Sequence, residues 1–352
     1  DVAAALVRAC VHALAAACSA GLAASGPSST SPDHAAHPQA LQERISKCEL
    51  VPHLLRLSAA AAEGLDTPSP DVAELCLSLT SRLTLAAEPL AHQFARSGGL
   101  SRAFVEKMLV PANPPASLVD VLLALSHLSR LSAQHAQTAV EHARMGALLG
   151  PLLRHGHAAV RAKASNLAGN LCRHSDVFYA DMRAHGLVPL LAQCCRDQDP
   201  PTRKFASFAV GNAAFHSDLL YPELRAALPA LTAIVVHDVE AKSRSNAAGA
   251  LGNLVRNSGD LCEELISCGA LQGLADTVLA WRGAGSEADL QPCKIALFSL
   301  GSMCSYRTCR TALLATGFRS EVEAIAGQAT DPVLGKYAQR MLTKLVVDSV
   351  SR

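Results

Sequence analysis

Aromatic residues are scarce in this 352-residue chain, which has one Trp, four Tyr and eight Phe, 4% in all. With alanine and leucine dominating instead, the composition favours helices. A surplus of either charge is also missing. The formal net charge is +1, so nothing pulls the whole chain toward nucleic acid or an anionic membrane. No uninterrupted apolar run reaches the ~18–20 residues that a membrane span needs. Residues 1–19 come near in composition, but Arg8 and His12 interrupt them. Twelve cysteines are present, yet no C-x-x-C pair occurs among them. Most lie in apolar helical runs, where a free thiol acts as a small hydrophobe. That pattern is expected of reduced core thiols in a reducing, cytoplasmic compartment. The fourteen histidines form no H-E-x-x-H and no paired Cys/His spacing, so neither zinc nor any other cofactor is expected. A Cys–His nucleophile assembled in space has no motif to support it, and an enzyme is not expected.

Repetition is what the chain has. The run AAGALGNLVRN places Gly252 and Asn253 inside an apolar body. Gly211–Asn212 stands 41 residues earlier, Gly169–Asn170 another 42 before that, and Gly301–Ser302 follows 49 residues after Gly252. A period near 42 is the mark of a helical repeat array. Half of the residues are hydrophobic, more than one ordinary core absorbs, and a solenoid takes them up by stacking.

Each unit has three pieces. A short helix with a Ser-Asp or Gly-Asp start (175–185, 217–226, 259–268) is followed by an apolar helix opened by Gly or Ala (186–196, 227–237, 269–281). A long third helix closes the unit (201–215, 241–257, 290–305). The Gly between the first two permits a sharp bend. Residues 157–348 carry well-defined repeats and 39–156 divergent ones, with third helices near 71–86 and 117–131 and second helices near 49–60 and 99–109. Residues 1–19 read as a leading helix and 20–38 as a flexible Gly/Ser/Pro loop, with smaller loops at 63–70, 111–116 and 282–289. The chain begins in mid-helix without Met and reads as a piece of something longer. The expectation is one all-α, right-handed armadillo/HEAT-like solenoid of about seven three-helix repeats over residues 1–352.

The three-helix period, with G-A-L-x-x-L opening the second helix and A-L-x-N-L near the end of the third, resembles the armadillo repeat. That resemblance implies a concave groove lined by third helices, whose ladder asparagines hold an extended partner. Asn170, Asn212 and Asn253 match the ladder position, and Ser302 replaces it in the next unit. Helical periodicity extends the same face to positions four and seven before. These are Asn166 and Lys163, Phe208 and Phe205, Gly249 and Asn246, and Phe298 and Ile295. Lys242 falls near that line, and Lys204 and Lys294 lie toward one edge. The Asn residues could instead brace neighbouring repeats, and the Phe residues could be core. The recurring cations at the helix starts (Arg161, Lys163, Arg203, Lys204, Lys242, Arg244) fit either a solvated face or an acidic partner. In the last helix, Val333, Leu334, Tyr337, Met341, Leu342, Leu345 and Val346 make a broad apolar face. Tyr337, Met341 and Leu345 are the candidates there for docking a partner or a second copy.

The blocks NAAGALGNLVRNSGDLCEELISCGAL and CKIALFSLGSMCSYRTCRTALLATGF, with ASNLAGNLCRHSDVFYADMRAHGLVPLLAQCC before them, resemble the C-terminal armadillo-like region of Fused-type serine/threonine kinases over roughly residues 145–345. The resemblance implies a non-catalytic scaffold that docks an unc-51-like pseudokinase, a kinesin-like protein or another kinase. The implied setting is Hedgehog-type signalling or assembly of motile cilia. No G-x-G-x-x-G, H-R-D or D-F-G motif occurs, so the kinase domain itself is absent from this chain. The alternative is a stand-alone armadillo adaptor that binds extended peptides.

Overall fold

The structure is a computed structural model that describes residues 16, 47–60, 70–284 and 287–346. The proposed leading helix (1–19) apart from residue 16, the 20–38 loop and nearly all of the 63–70 loop lie outside the described residues. All regular structure described is helical, and the chain divides into two compact units, 1–148 and 149–352.

The first unit contains α1 (Leu50–Ala60), α2 (Pro70–Ala86), α3 (Glu88–Phe94), a π-helical turn (Ala95–Gly99), α4 (Arg102–Met108), α5 (Pro115–Leu131) and α6 (Ala133–Glu141). The long helices α2 and α5 match the third helices read from the sequence and pack on each other. Ser81 donates its hydroxyl across this contact to the Asp120 carbonyl, at 3.0 Å.

Residues 149–153, the end of α7 (Met145–Leu153), open the second unit. Then come α8 (Ala158–Leu171), α9 (Tyr179–Ala184), α10 (Leu187–Cys194), α11 (Pro200–Ala213), α12 (Tyr221–Leu224), a 3-10 turn (Arg225–Ala227), α13 (Leu228–His237) and α14 (Ala241–Asn253). The series ends with α15 (Cys262–Ser267), α16 (Ala270–Ala284), α17 (Glu287–Met303), α18 (Arg307–Ala315), α19 (Phe318–Gln328) and α20 (Pro332–Val346). The third helices α8, α11, α14, α17 and α20 pack side by side in chain order. The second helices α10, α13, α16 and α19 each lie against the third helix of their own repeat. Between these two layers, Leu167, Leu191, Val210, Leu231, Leu251, Leu274, Leu297 and Leu300 are fully buried.

Local chemistry explains the joints. Gly186, Gly269 and Gly317 sit at the bend between first and second helices with φ of 62°, 76° and 74°, values that an L side chain rarely adopts. The repeat with Ala at this place uses the 3-10 turn Arg225–Ala227 instead. Asp199 caps α11, accepting from the Thr202 amide at 2.9 Å, with Pro200 and Pro201 in a first turn that needs no amide donors.

Two local expectations need correction. The first helices start later than 175 and 259. Ser175 and Ser258 accept from the amides of Val177 and Asp260 two residues on, so they shape a turn before the helix rather than capping it. The 282–289 loop is also shorter than read. Residues 282–284 end α16 and Glu287–Asp289 form the first turn of α17, so the longer 49-residue spacing is absorbed by lengthening both helices.

At Gly169 and Gly252 the glycine before the ladder position lets the next third helix approach, whereas Gly301 has room to spare. A Cβ on Gly252 would lie 2.5 Å from Ser299 Oγ and 2.9 Å from Ser299 Cα. On Gly301 the nearest atom would be Met341 Cβ at 3.7 Å. Gly252→Ala is therefore expected to destabilise by about 1–3 kcal/mol, because backbone must move. Gly301→Ala should be neutral or stabilising by up to ~1 kcal/mol, the usual helical gain over glycine. Urea denaturation of the two variants side by side checks the contrast.

Candidate protein-interaction face

The outer surface of the third-helix layer follows the period predicted from the sequence. Lys163 and Asn166 on α8, Lys204, Phe205, Phe208 and Asn212 on α11, and Asn246, Gly249 and Asn253 on α14 are all half-buried. So are Lys294, Ile295, Phe298 and Ser302 on α17, while Lys242 is exposed. Asn170 differs, being only 3% exposed, with its amide donating inside its own helix to the carbonyl and side chain of Asn166. It belongs to the packed interior rather than to the outer face.

Asn212 and Asn253 brace the stack. The Nδ2 of Asn212 donates to the Gly169 carbonyl at 2.8 Å, and that of Asn253 to the Gly211 carbonyl at 2.9 Å. So the glycine serves twice, leaving out a Cβ and presenting a carbonyl. Asn246 makes a parallel bond to the Lys204 carbonyl at 3.0 Å. Ser302 does not cross to its neighbour; its hydroxyl returns to the Phe298 carbonyl one turn back. In the last repeat Lys344 takes over, its Nζ reaching the Gly301 carbonyl at 2.6 Å and Ser305 Oγ at 2.7 Å. Sequence reading missed Lys344. It stands 42 residues after Ser302, so the period alone would have found it. Arg340 was missed in the same way. Its guanidinium lies 5.1 Å from the Phe298 ring centroid, on the face that Tyr337 shares, its ring 5.2 Å from that of Phe298 and tilted by 56°.

Two further rows tie the repeats together. Tyr179 and Tyr221 donate their hydroxyls to the Asn212 and Asn253 carbonyls, both at 2.6 Å. Asn257 donates to the Ala214 and Phe215 carbonyls. At the other end of the third helices, Arg161 holds Asp197 at 2.7 Å and Arg203 holds Asp238 at 2.7 Å. Arg244 pairs with Asp289. Each arginine also donates to two carbonyls of the linker before its helix. Lys204 and Lys294 are paired with Glu240 and Asp331. These five cations are committed within the stack, and for Arg161, Arg203, Lys204 and Arg244 this corrects the reading of the recurring cations as a set facing solvent or an acidic partner.

The middle of the apolar face of α20 is likewise internal, while Val333 and Val346 at its two ends are exposed. Met341 and Leu345 are buried with Leu334 and Ala338, so they cannot form a free docking surface, and Tyr337 belongs to the third-helix face instead. Clefts of about 480 Å³ and 310 Å³ open one repeat apart beside the second helices. Each holds an Arg–Asp pair (Arg203–Asp238, Arg244–Asp289) and marks a seam between repeats. Burial pushes the thiols of Cys76 and Cys194 up to about 11 and those of Cys195, Cys293 and Cys304 to about 12. Such groups suit packing rather than nucleophilic attack. Among the described residues no cluster of His, Cys, Asp and Glu is placed to hold a metal, and no helix is long and apolar enough to cross a membrane.

No family model matches the chain. An engineered protein of known structure superimposes with a TM-score of 0.70 at 18% identity, over 83% of this chain and 68% of its own. A designed armadillo repeat protein, and another solved in complex with the peptide (KR)4, each give a TM-score of 0.60 at 21% and 20% identity, over 68% of this chain and 99% of theirs. At these identities the likeness is one of fold, and the fold is the armadillo repeat. Two curated kinases match in sequence. Serine/threonine-protein kinase TIO of Arabidopsis thaliana is 37% identical over 231 residues, 63% of this chain. Serine/threonine-protein kinase 36 of Mus musculus is 33% identical over 213 residues, 58% of this chain. The chain is homologous to the armadillo-repeat region of Fused-type serine/threonine kinases. It spans only 17% and 16% of the length of these two relatives, in the part outside their kinase domains.

The ion pairs of this Fused-type region give its stability a pH dependence. The Arg161 hydrogen bond holds the Asp197 carboxyl below its usual range, and Arg183 and Lys294 do the same for Glu223 and Asp331. A carboxylate depressed by folding stabilises above its unfolded pKa, and that contribution disappears as pH falls through the folded value. The urea midpoint is therefore expected to be flat near neutrality and to drop below about pH 4, where unfolded carboxyls begin to protonate. Asp197→Asn should lower the neutral midpoint and flatten the acid limb. An acid limb unchanged by the substitution would contradict the assignment to Asp197.

Proposed function

We propose that this chain is a non-catalytic protein-interaction scaffold, the C-terminal region of a Fused-like kinase. In this reading it docks a kinase, an unc-51-like pseudokinase or a kinesin-like protein in a cytoplasmic, ciliary or Hedgehog-type signalling assembly. The observation that carries the reading is the homology to two kinases outside their kinase domains, joined to a row of third helices whose outer face is half-open. The binding surface in this proposal is that face, from Lys163 and Asn166 through Phe205, Lys242, Asn246 and Phe298 to Tyr337 and Arg340. Asn212 and Asn253 each commit a single amide hydrogen bond to the preceding repeat. An Asn side chain has two donors and an acceptor, so each retains capacity for the main chain of a partner.

The second reading is a stand-alone adaptor that binds extended peptides. Its support is the fold likeness to a designed armadillo protein solved with a bound peptide. The full-length transcript separates the two, since only the first reading expects a kinase domain encoded with this region. For the scaffold itself, the chain is used to capture partners from its native cell extract beside a Phe205→Ala, Lys242→Ala variant, which removes face groups while leaving the Gly–Asn braces intact. Recovery of a kinase, pseudokinase or kinesin-like protein by the wild type and its loss with the variant is the expected result. Equal recovery by both would move the binding site off this face.

A further inference from the structure

The charge on the third-helix face is lopsided in a way that the net charge of the chain conceals. Lys163, Lys204, Lys242, Lys294, Arg340 and Lys344 project along it, whereas the carboxylates paired there are Glu240 and Asp331. Those two are taken up by Lys204 and Lys294, at 2.7 and 2.8 Å. The cations Arg161, Arg203 and Arg244 at the edge are neutralised by Asp197, Asp238 and Asp289. Among the described residues, no carboxylate lies within ion-pair distance of Lys163, Lys242, Arg340 or Lys344.

Lys163 is the sharpest case. Its ammonium lies 5.3 Å from the centroid of the Phe205 ring, and that of Lys204 lies at the same distance from the same ring. Two like charges therefore share one aromatic surface, and only Lys204 has a counter-ion. Burial, and then the charge of Lys204, push the Lys163 pKa down. An ammonium that is half-buried and uncompensated is costly, and an anion arriving from outside offsets that cost. The aromatic groups beside these cations, Phe205 with Lys163 and Phe298 with Tyr337 and Arg340, offer apolar contact between the charged points.

Resting on the reading of this face as the binding surface, we propose that its partner presents an extended acidic segment, with carboxylates on Lys163, Lys242 and Arg340 and apolar side chains between them on Phe205 and Phe298. The spacing follows from geometry. Packed helices lie ~8–10 Å apart and an extended chain rises ~3.3 Å per residue, so each repeat takes up about three residues. Lys163, Lys242 and Arg340 stand on α8, α14 and α20, each two third helices from the next. The acidic residues therefore fall about five or six positions apart.

The test uses the whole chain and fluorescence anisotropy with labelled peptides of about 18 residues, enough to reach from α8 to α20. One peptide carries Glu at the three charged positions with Leu or Phe between. A second has Lys at those positions, and a third is the (KR)4 sequence. The Glu peptide is expected to bind and to weaken as salt is raised. Lys163→Glu with Lys242→Glu should weaken it about tenfold or more. Circular dichroism of that variant checks that it folds, and Lys163→Met with Lys242→Met, which removes charge without reversing it, should lose affinity in the same direction. If a basic peptide binds as well as the Glu peptide, the acidic inference is overturned while the face remains a binding surface. If the Glu peptide binds but ignores both pairs of substitutions, the charged anchors are wrong. If no peptide binds, the reading of the face falls, and this inference with it.

Discussion

Everything in the second unit depends on how closely successive third helices approach at one glycine. Gly169, Gly211 and Gly252 stand where a Cβ would meet Phe208 and Ala209, Ala250 and Ser299. A helix normally gives up about 1 kcal/mol to hold a glycine, so tight packing against the next repeat has to return it. The glycine carbonyl then comes within reach of the next repeat's Asn. Each such bond contributes only about 1 kcal/mol net, small beside the burial of the leucine layer. Its importance is register, because a one-residue slip would put a side chain where the glycine was and leave a carbonyl and an amide unpaired. The leucines supply most of the stacking energy, and the Gly–Asn pairs fix which stack forms.

The same logic explains why the pattern changes without breaking. At the 49-residue spacing the ladder residue is Ser302, whose short arm bonds within its own helix. The crossing bond moves three residues earlier, where buried Ser299 donates to the Ala248 carbonyl at 2.8 Å. Gly252 still makes room, now for that serine. One repeat further the long side chain of Lys344 restores contact with a glycine carbonyl, at Gly301. The chemistry of the brace varies from amide to hydroxyl to ammonium. What persists is a donor from one third helix meeting a backbone carbonyl of the one before.

How much of this was legible in sequence depends on whether a feature is local in the repeat. The period, the helix type and the Gly–Asn positions are local and periodic, and the third helices fall close to where the pattern put them. The face residues follow from helical geometry once the Asn positions are known, so Lys163, Phe205, Asn246 and Phe298 emerge together. Ion pairing is not local in that sense. Arg161 finds Asp197 36 residues on, short of a full period, so the sequence displays a row of cations and hides the row of acids that answers it. The interior place of Met341 and Leu345 was hidden for a related reason. An amphipathic helix shows that one face is apolar, and only the packing of α20 on α17 and α19 shows that the chain itself covers it.

These observations divide the polar groups of the second unit by duty. Asn212, Asn253, Arg161, Arg203, Arg244, Tyr179 and Tyr221 hold repeat to repeat, and substitution there acts on stability first. Lys163, Lys242 and Arg340 make no ion pair with the stack among the described residues, so substitution there leaves the rows of ion pairs intact. Because the two sets occupy different positions of the same helices, the surface can diverge while the braces stay constant. A repeat array gains from that separation. Its stack can be kept while its face changes, and partner choice and fold stability become separable properties of one chain.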